Sequence, residues 1–232
     1  MGILVKDKTL VVPGEELAEG MDYLPGNDVF REGEKLIAMK LGLVTISGRF
    51  VKIVSLVGSY IPKKDDIVLG KIVTMGFSGW RVDFGWAFEG NLALRDGSTE
   101  FIEKNADLSQ YYDYGDWIVC QITNVTSSGR FIDLTMKGPG LRKLGIGRII
   151  KVSSSKVPRI IGKQGSMISL IKESTGCKIS VGQNGIIWLL GEHLEKELLA
   201  VQAIQKIEAE SHILGLTDRI KAFLEESAHN EL

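Results

Sequence analysis

Hydrophobic and polar positions change their period along this chain, and the changes mark out its pieces. Through about residue 64, apolar residues come in short alternating runs broken by glycine, at 35–39, 43–47 and 50–57. That pattern predicts short β-strands. Ahead of them, Val11-Val12-Pro13-Gly14-Glu15 reads as a strand ending in a Pro-Gly turn. From 67 to 137 the alternation becomes cleaner. Ile132, Leu134 and Met136 point one way, Phe131, Asp133 and Thr135 the other, and Ile118, Cys120 and Ile122 share a face. Five strands are expected, at 68–75, 80–84, 90–94, 117–125 and 131–137, with a long connection between the third and fourth that is partly helical around 98–106. Five strands with one long connection suggest an OB-type barrel.

After residue 145 the period turns helical. A strand at 148–152 leads into two short helical stretches that meet at Gly162-Lys163-Gln164-Gly165. The second starts at Ser166, buries Ile168 and Ile171, and stops at Gly176 as a C-terminal cap. Strands at 178–181 and 186–190 form a hairpin over Gly182-Gln183-Asn184-Gly185, with Asn-Gly as its turn signal. A long helix follows on an apolar stripe of Leu194, Leu198, Val201, Ile204 and Ile207, giving the order β-α-α-β-β-α. A short helix at 217–226 is expected to pack on the outside. The reading is a multidomain β plus α+β chain: an all-β domain over 1–64, a five-stranded OB-type barrel over 65–138, an α+β domain over 145–211, and a C-terminal helical extension over 212–232. The turn-rich stretch 60–66 is the first boundary.

Length and composition agree with several small domains. The chain has 232 residues, of which 44% are hydrophobic and 25% charged, ordinary values for a globular protein. No apolar run approaches the ~20 residues needed to span a membrane, and the first residues lack the order of a secretory signal. A cytoplasmic location without membrane partners is therefore expected. Cys120 and Cys177 stand far apart in apolar contexts and read as buried small hydrophobes; two such isolated cysteines make no zinc ribbon. Net charge adds something that composition hides. The total is −1, but residues 65–138 carry six Lys/Arg against eleven Asp/Glu, and residues 139–210 carry eleven against six. Within 139–191 nine basic residues face the single acid Glu173. This is a basic block inside a nearly neutral chain.

Candidate chemistry follows that block. Two glycines bracket Lys163 and Gln164, with apolar helix formers on both sides, so the backbone can lie close to a phosphodiester; glycine tolerates positive φ and has no Cβ to hold a ligand away. Catalytic signatures are thin by comparison. His193, His212 and His229 have no nucleophile partner and read as surface side chains. Asp65-Asp66 and Asp113/Asp116 sit in turns before strands, where aspartate caps backbone. There is no Walker loop, dinucleotide fingerprint or metal-ligand spacing. No catalytic residue, metal or cofactor is expected.

The β-α-α-β-β-α order, with Ile160-Ile161-Gly162-Lys163-Gln164-Gly165-Ser166-Met167-Ile168 followed by Thr175-Gly176-Cys177-Lys178-Ile179, resembles the type I KH domain over about 148–211. KH domains hold about four single-stranded nucleotides between the Gly-x-x-Gly loop and an apolar groove. The resemblance implies that Gly162, Lys163, Gln164 and Gly165 contact the sugar-phosphate backbone. Ile160, Ile161, Ile168 and Ile179 would floor or flank the groove, with Arg159 in the basic run beside it. A KH fold kept only as a protein-docking scaffold is the alternative.

The piece before it resembles the S-one type of RNA-binding barrel, through Leu69-Gly70-Lys71-Ile72-Val73, Gly79-Trp80-Arg81-Val82-Asp83, Glu89-Gly90-Asn91-Leu92 and Gly115-Asp116-Trp117-Ile118-Val119. It departs by placing Arg81 where that family usually has a surface aromatic, and Ala93 where it often has histidine. Trp80, Val82 and Phe84 share one face and read as core, which leaves Lys71, Arg81, Arg95 and Arg130 to meet phosphates or to stack through a guanidinium plane.

In domain order the chain is similar to the RNA-binding cap subunits of the archaeal exosome, of the ribosomal RNA-processing protein four type. That resemblance implies a non-catalytic subunit, three copies per complex, seated on a hexameric ring of phosphorolytic subunits. It would capture single-stranded, adenine-rich RNA for 3′-to-5′ degradation by the ring. A free-standing RNA-binding regulator of translation or RNA stability is the alternative, and an intrinsic ribonuclease the third reading.

Overall fold

Burial alternates along Phe50–Ser55, placing Val51 and Ile53 inside and Phe50, Lys52 and Val54 outside, the signature of a strand with one solvated face. In a computed structural model that describes residues 2–56, 58–100, 102–103, 106–211, 213 and 215–229 (side chains to 226), this strand belongs to the first of two compact units, Met1–Ser59 and Tyr60–Leu232. The first unit is all β: β1 (Leu10–Val11), β2 (Glu16–Glu19), β3 (Leu24–Pro25), β4 (Val29–Glu32), β5 (Lys35–Ala38), β6 (Gly42–Ser47) and β7 (Phe50–Ser55). They form two small sheets, β1-β6-β7-β3 and β2-β5-β4, around a core that includes Val11, Leu17, Leu36, Val44, Val51 and Ile53. Strands β2, β3 and β4 form where hydrophobic alternation predicts none. Glu16-Leu17-Ala18-Glu19 has little β propensity, and only pairing with β5 makes it a strand. Val57, the expected end of β7, lies outside the described residues.

The second unit opens with the barrel. Its strands are β8 (Ile67–Gly76), β9 (Gly79–Asp83), β10 (Gly90–Ala93), β11 (Trp117–Val125) and β12 (Ile132–Thr135), each within two residues of expectation at either end. Neighbours run β12-β10-β9-β8-β11, and β11 pairs again with β12 to close the ring. The one parallel pair is β10 with β12. Closure removes the sheet edges and encloses Trp80, Val82, Phe84, Ile118, Ile122 and Leu134. Trp80 donates to the Tyr112 carbonyl at 3.1 Å, and its ring meets the Tyr112 ring edge-on at 5.1 Å.

The helix expected around 98–106 is displaced. Helical turns form on either side, at α1 (Leu94–Gly97) and in a 3-10 turn at Leu108–Gln110, and none occurs among the described residues of 98–106. Phe101, Lys104 and Asn105 lie outside the described residues. The physical reason is packing of individual side chains: Ile102 and Tyr112 plug the barrel core, and Gly97 lies so close to Trp80 that a Cβ there would come within 2.5 Å of the ring.

A short strand, β13 (Arg142–Lys143), pairs with β11 and leads into β14 (Arg148–Lys151), α2 (Val157–Ile161), α3 (Ser166–Thr175), β15 (Lys178–Val181), β16 (Ile186–Leu190), α4 (Leu194–Glu210) and α5 (Leu216–His229). The antiparallel sheet runs β14-β16-β15. Helix α3 ends on Gly176 at φ 70°, where a left-handed cap favours glycine.

The apolar stripe of α4 is shifted from the expected one. Leu194 and Leu198 are exposed, while Leu199, Ala200, Ala203, Ile204 and Ile207 are buried; alanine on the inner face admits close approach to the core. On α3, Met167 and Ile171 are buried and Ile168 only half-buried. Helix α5 packs Leu216, Ile220 and Leu224 into the same core. The histidine expected at 212 and the side chain of His229 lie outside the described residues.

Strand β16 is buried on both faces. Ile187 and Leu189 face the helices, whereas Ile186 and Trp188 join Leu69, Val119 and Leu144 in a separate apolar cluster against the barrel. At the hairpin tip, Asn184 Nδ2 donates to the carbonyls of Leu69 at 2.8 Å and Phe84 at 2.7 Å, and its Oδ1 accepts from Leu69 N at 3.3 Å. Ile67 N donates to Gln183 Oε1 at 2.6 Å, and Gln183 N returns a bond to Ile67 O at 2.9 Å. The α+β domain is thus clamped to the first barrel strand by one turn.

Candidate nucleic-acid interface

The glycine loop is built by two helices that cannot join without it. Pro158 starts α2 in its first turn, and after five residues the chain reverses at Gly162, whose φ of 77° and ψ of 174° suit glycine alone. A Cβ on Gly162 would sit 2.6 Å from the Met167 amide nitrogen. Gln164 is left-handed, with φ 53° and ψ 29°, and Gly165 at φ 81° opens α3. The side chains of Lys163 and Gln164 are exposed. Below the loop, Ile160 is fully buried and Ile179 nearly so, both in the core. Ile161 and Ile168 are half-buried and have surface to offer a ligand.

The basic run divides by partner. Lys143 pairs with Asp116, Arg148 lies 3.6 Å from Glu197, and Arg142 Nη2 donates to Ser180 Oγ at 2.9 Å. Arg142 and Lys143 brace the junction, whereas Arg148 ties β14 to α4 within the α+β domain. Arg159 and Lys163 are exposed and have no ion pair among the described residues. They stand at the loop, so its surface is cationic.

On the barrel, Trp80, Val82 and Phe84 are core, as the alternation indicates. Arg81 points outward opposite Thr74 on β8 and Asn91 on β10. Next along that face, Asp133 accepts from Asn91 at 3.4 Å and from Asn124 at 3.2 Å. Lys71 is exposed on β8, across from Asp83. Arg95 is 88% exposed on α1, its Nε 3.0 Å from the carboxylate of neighbouring Asp96. Arg130 is exposed in the turn between β11 and β12. The barrel cations therefore lie on separate strands and turns.

Phe131 is exposed, on the face opposite Ile132 and Leu134 as the alternation predicts, and Phe77, absent from the expected site residues, is fully exposed at the β8–β9 tip. The signal for Phe77 was available: a side chain in a turn between Gly76 and Ser78-Gly79 has no core to enter. Asn184 was read only as a turn former.

The aspartate pairs are occupied by backbone. Asp66 accepts from Lys63 N at 3.1 Å and from the Tyr60 hydroxyl at 2.6 Å; Asp116 accepts from Asp113 N at 2.6 Å. Burial, with the Asp66 carboxylate beside it, raises the Tyr60 phenol well above its usual range. Cys120 and Cys177 are buried free thiols, and burial pushes the Cys120 thiol up to about 12. No cluster of metal-ligating side chains and no helix long and apolar enough to cross a membrane occurs among the described residues.

A closed five-stranded barrel clamped to a β-α-α-β-β-α domain with an open glycine loop defines the class: an OB-type barrel joined to a type I KH domain, preceded in sequence by an all-β N-terminal domain. Residues 147–210 match the KH domain family. The exosome complex component Rrp4 of Pyrococcus furiosus is 45% identical over 225 residues, covering 96% of this chain and 84% of the relative. Its counterpart in Thermococcus kodakarensis is 44% identical over 96% of this chain and 87% of that one. The one in Thermofilum pendens is 40% identical over 97% and 95%. A crystal structure provisionally described as an exosome complex RNA-binding protein superposes with a TM-score of 0.66 at 32% identity, over 75% of this chain and all of that one. The chain belongs to the Rrp4 family of exosome complex components.

Proposed function

We propose that this chain is a non-catalytic RNA-binding cap subunit of an archaeal exosome. Three copies sit on a hexameric phosphorolytic ring, capture single-stranded, adenine-rich RNA and present its 3′ end to the ring. The observation that carries the reading is the exposed Lys163-Gln164 pair on a glycine loop, where Arg159 and Lys163 have no ion pair among the described residues. Such a loop presents amides and positive charge to a phosphodiester. Binding then works by raised local concentration: several weak contacts on one strand add by avidity.

Docking has its own support in the N-terminal unit. On the outer face of β1-β6-β7-β3, Leu10 stands beside Leu43 and Leu43 beside Val54, while Leu24 pairs with Phe50. Leu10, Leu24, Phe50 and Val54 are all exposed. An apolar sheet face of this kind marks a partner surface. The proposed domain roles are docking for 1–64, RNA contact for 65–138 and RNA capture for 145–211.

The test is size measurement of the chain mixed with ring subunits, together with an RNA turnover assay of the chain alone. A stable ring complex and no turnover with magnesium or phosphate are expected. A chain that stays alone while binding RNA belongs to a free-standing regulator instead, and turnover that follows it through successive columns makes it a ribonuclease.

A further inference from the structure

Phe77 is the most exposed large hydrophobic side chain among the described residues of the second unit, and its backbone is tied down on both sides. Gly76 and Gly79 close the hairpin across from each other. Gly79 is pressed so tightly on β10 that a Cβ would come 2.1 Å from the Leu92 carbonyl. Leu94 N donates to Ser78 O at 3.0 Å, which ties the tip to α1 and brings the exposed guanidinium of Arg95 to the same end of the barrel. Behind the tip, Met75, Gly76 and Phe77 form one wall of an open cleft of about 470 Å³, with Ala106, Asp107, Leu108 and Ser109 as the other. The Asp107 carboxylate accepts from Ser109 N and Oγ, at 3.1 and 2.7 Å; these bonds lower its pKa and fix it in that wall as an anion.

We propose that this tip is a single-nucleotide subsite for single-stranded RNA, in which a base enters the cleft and stacks on Phe77 while Arg95 meets the adjoining phosphate. The inference rests on the RNA-binding reading above. The chemistry favours a base over a protein surface. A protein hot spot needs a ring of neighbours that exclude water, but Phe77 is flanked by Gly76, Ser78 and Gly79. A planar base needs only one aromatic face and a nearby cation, and any base serves.

The full chain is titrated with oligoadenylate of about 12 nucleotides, within the span of such sites, and with the same oligomer carrying one abasic position at a time. Phe77→Ala is expected to weaken binding by about 5- to 150-fold, the equivalent of one lost stack, with an unchanged salt dependence. One abasic position should abolish the difference between Phe77→Ala and the unaltered chain. Arg95→Ala should make the slope of log affinity against log salt shallower by about 0.7, for intact and abasic oligomers alike. Phe77→Trp should keep the affinity and Phe77→Leu should lose it. If Phe77→Ala binds as the unaltered chain does, while a Lys163→Asp, Gln164→Asp variant loses binding, the subsite falls and the wider reading stands. Phe77→Ala that releases ring subunits but keeps RNA affinity also overturns it, assigning the tip to a protein. An unaltered chain with no RNA affinity removes both.

Discussion

The two glycines of the loop differ in what they do. Gly162 faces Met167 at distances that leave no room for a methyl group, whereas the space around Gly165 is open to 4.0 Å. Gly162→Ala should therefore destabilise the fold by roughly 3 kcal/mol, at the upper end for a residue forced into a glycine-only region. Gly165→Ala should cost only ~1–2 kcal/mol, from its left-handed backbone alone; urea unfolding of both variants measures the difference. The exposed pair between them acts on the ligand rather than the fold. Lys163→Asp with Gln164→Asp should leave the circular dichroism spectrum and melting unchanged and weaken RNA binding. The log–log salt slope should become shallower by about 0.7 for each phosphate that the loop no longer holds. Unaltered affinity and slope would support a KH fold kept for docking proteins. The loop was legible because glycine spacing is a backbone requirement written directly in the sequence. The burial of Ile160 and Ile179 was not, because an apolar residue near a groove and one beneath it look alike until the packing is known.

At the scale of elements, the barrel strands and the order of the KH elements could be read from period alone. Three short strands of the N-terminal unit could not, since β2 to β4 take their conformation from partners rather than from local preference. The hairpin turn at 182–185 was found, but its function was hidden: asparagine before glycine is the commonest of turn signals, and nothing local says that its amide reaches another domain. Asn184→Ala strands the carbonyls of Leu69 and Phe84 together with the Leu69 amide. Each buried group left without a partner costs ~1–3 kcal/mol. We expect a loss of several kcal/mol in total, and a single unfolding transition that separates into two, followed by calorimetry. A variant that still melts in one step at the native temperature would show that the apolar cluster alone holds the junction.

For the whole molecule, the two candidate surfaces lie in different units and should fail independently. Val54→Asp places a charge on the exposed face of β7; it should abolish copurification with ring subunits and leave RNA affinity as it was, read by size exclusion and by titration. The regional charge imbalance was visible in the sequence and corresponds to the cationic loop. The use of Arg142 and Lys143 as braces between barrel and KH domain, and of Arg148 within the KH domain, was not, because a side chain's partner depends on which group the fold brings near.

The burial of β16 on both faces has a consequence for how such a chain can change. A module is portable when its outer surface is polar, but this KH domain carries Ile186 and Trp188 where a transferable unit would meet solvent. Cut out and grafted elsewhere, it would present a sticky apolar row on one side of its sheet. Substitutions along that row are acceptable only in step with Leu69 and Val119 on the barrel. Moving the domain without the barrel would therefore require a new cover for Ile186 and Trp188.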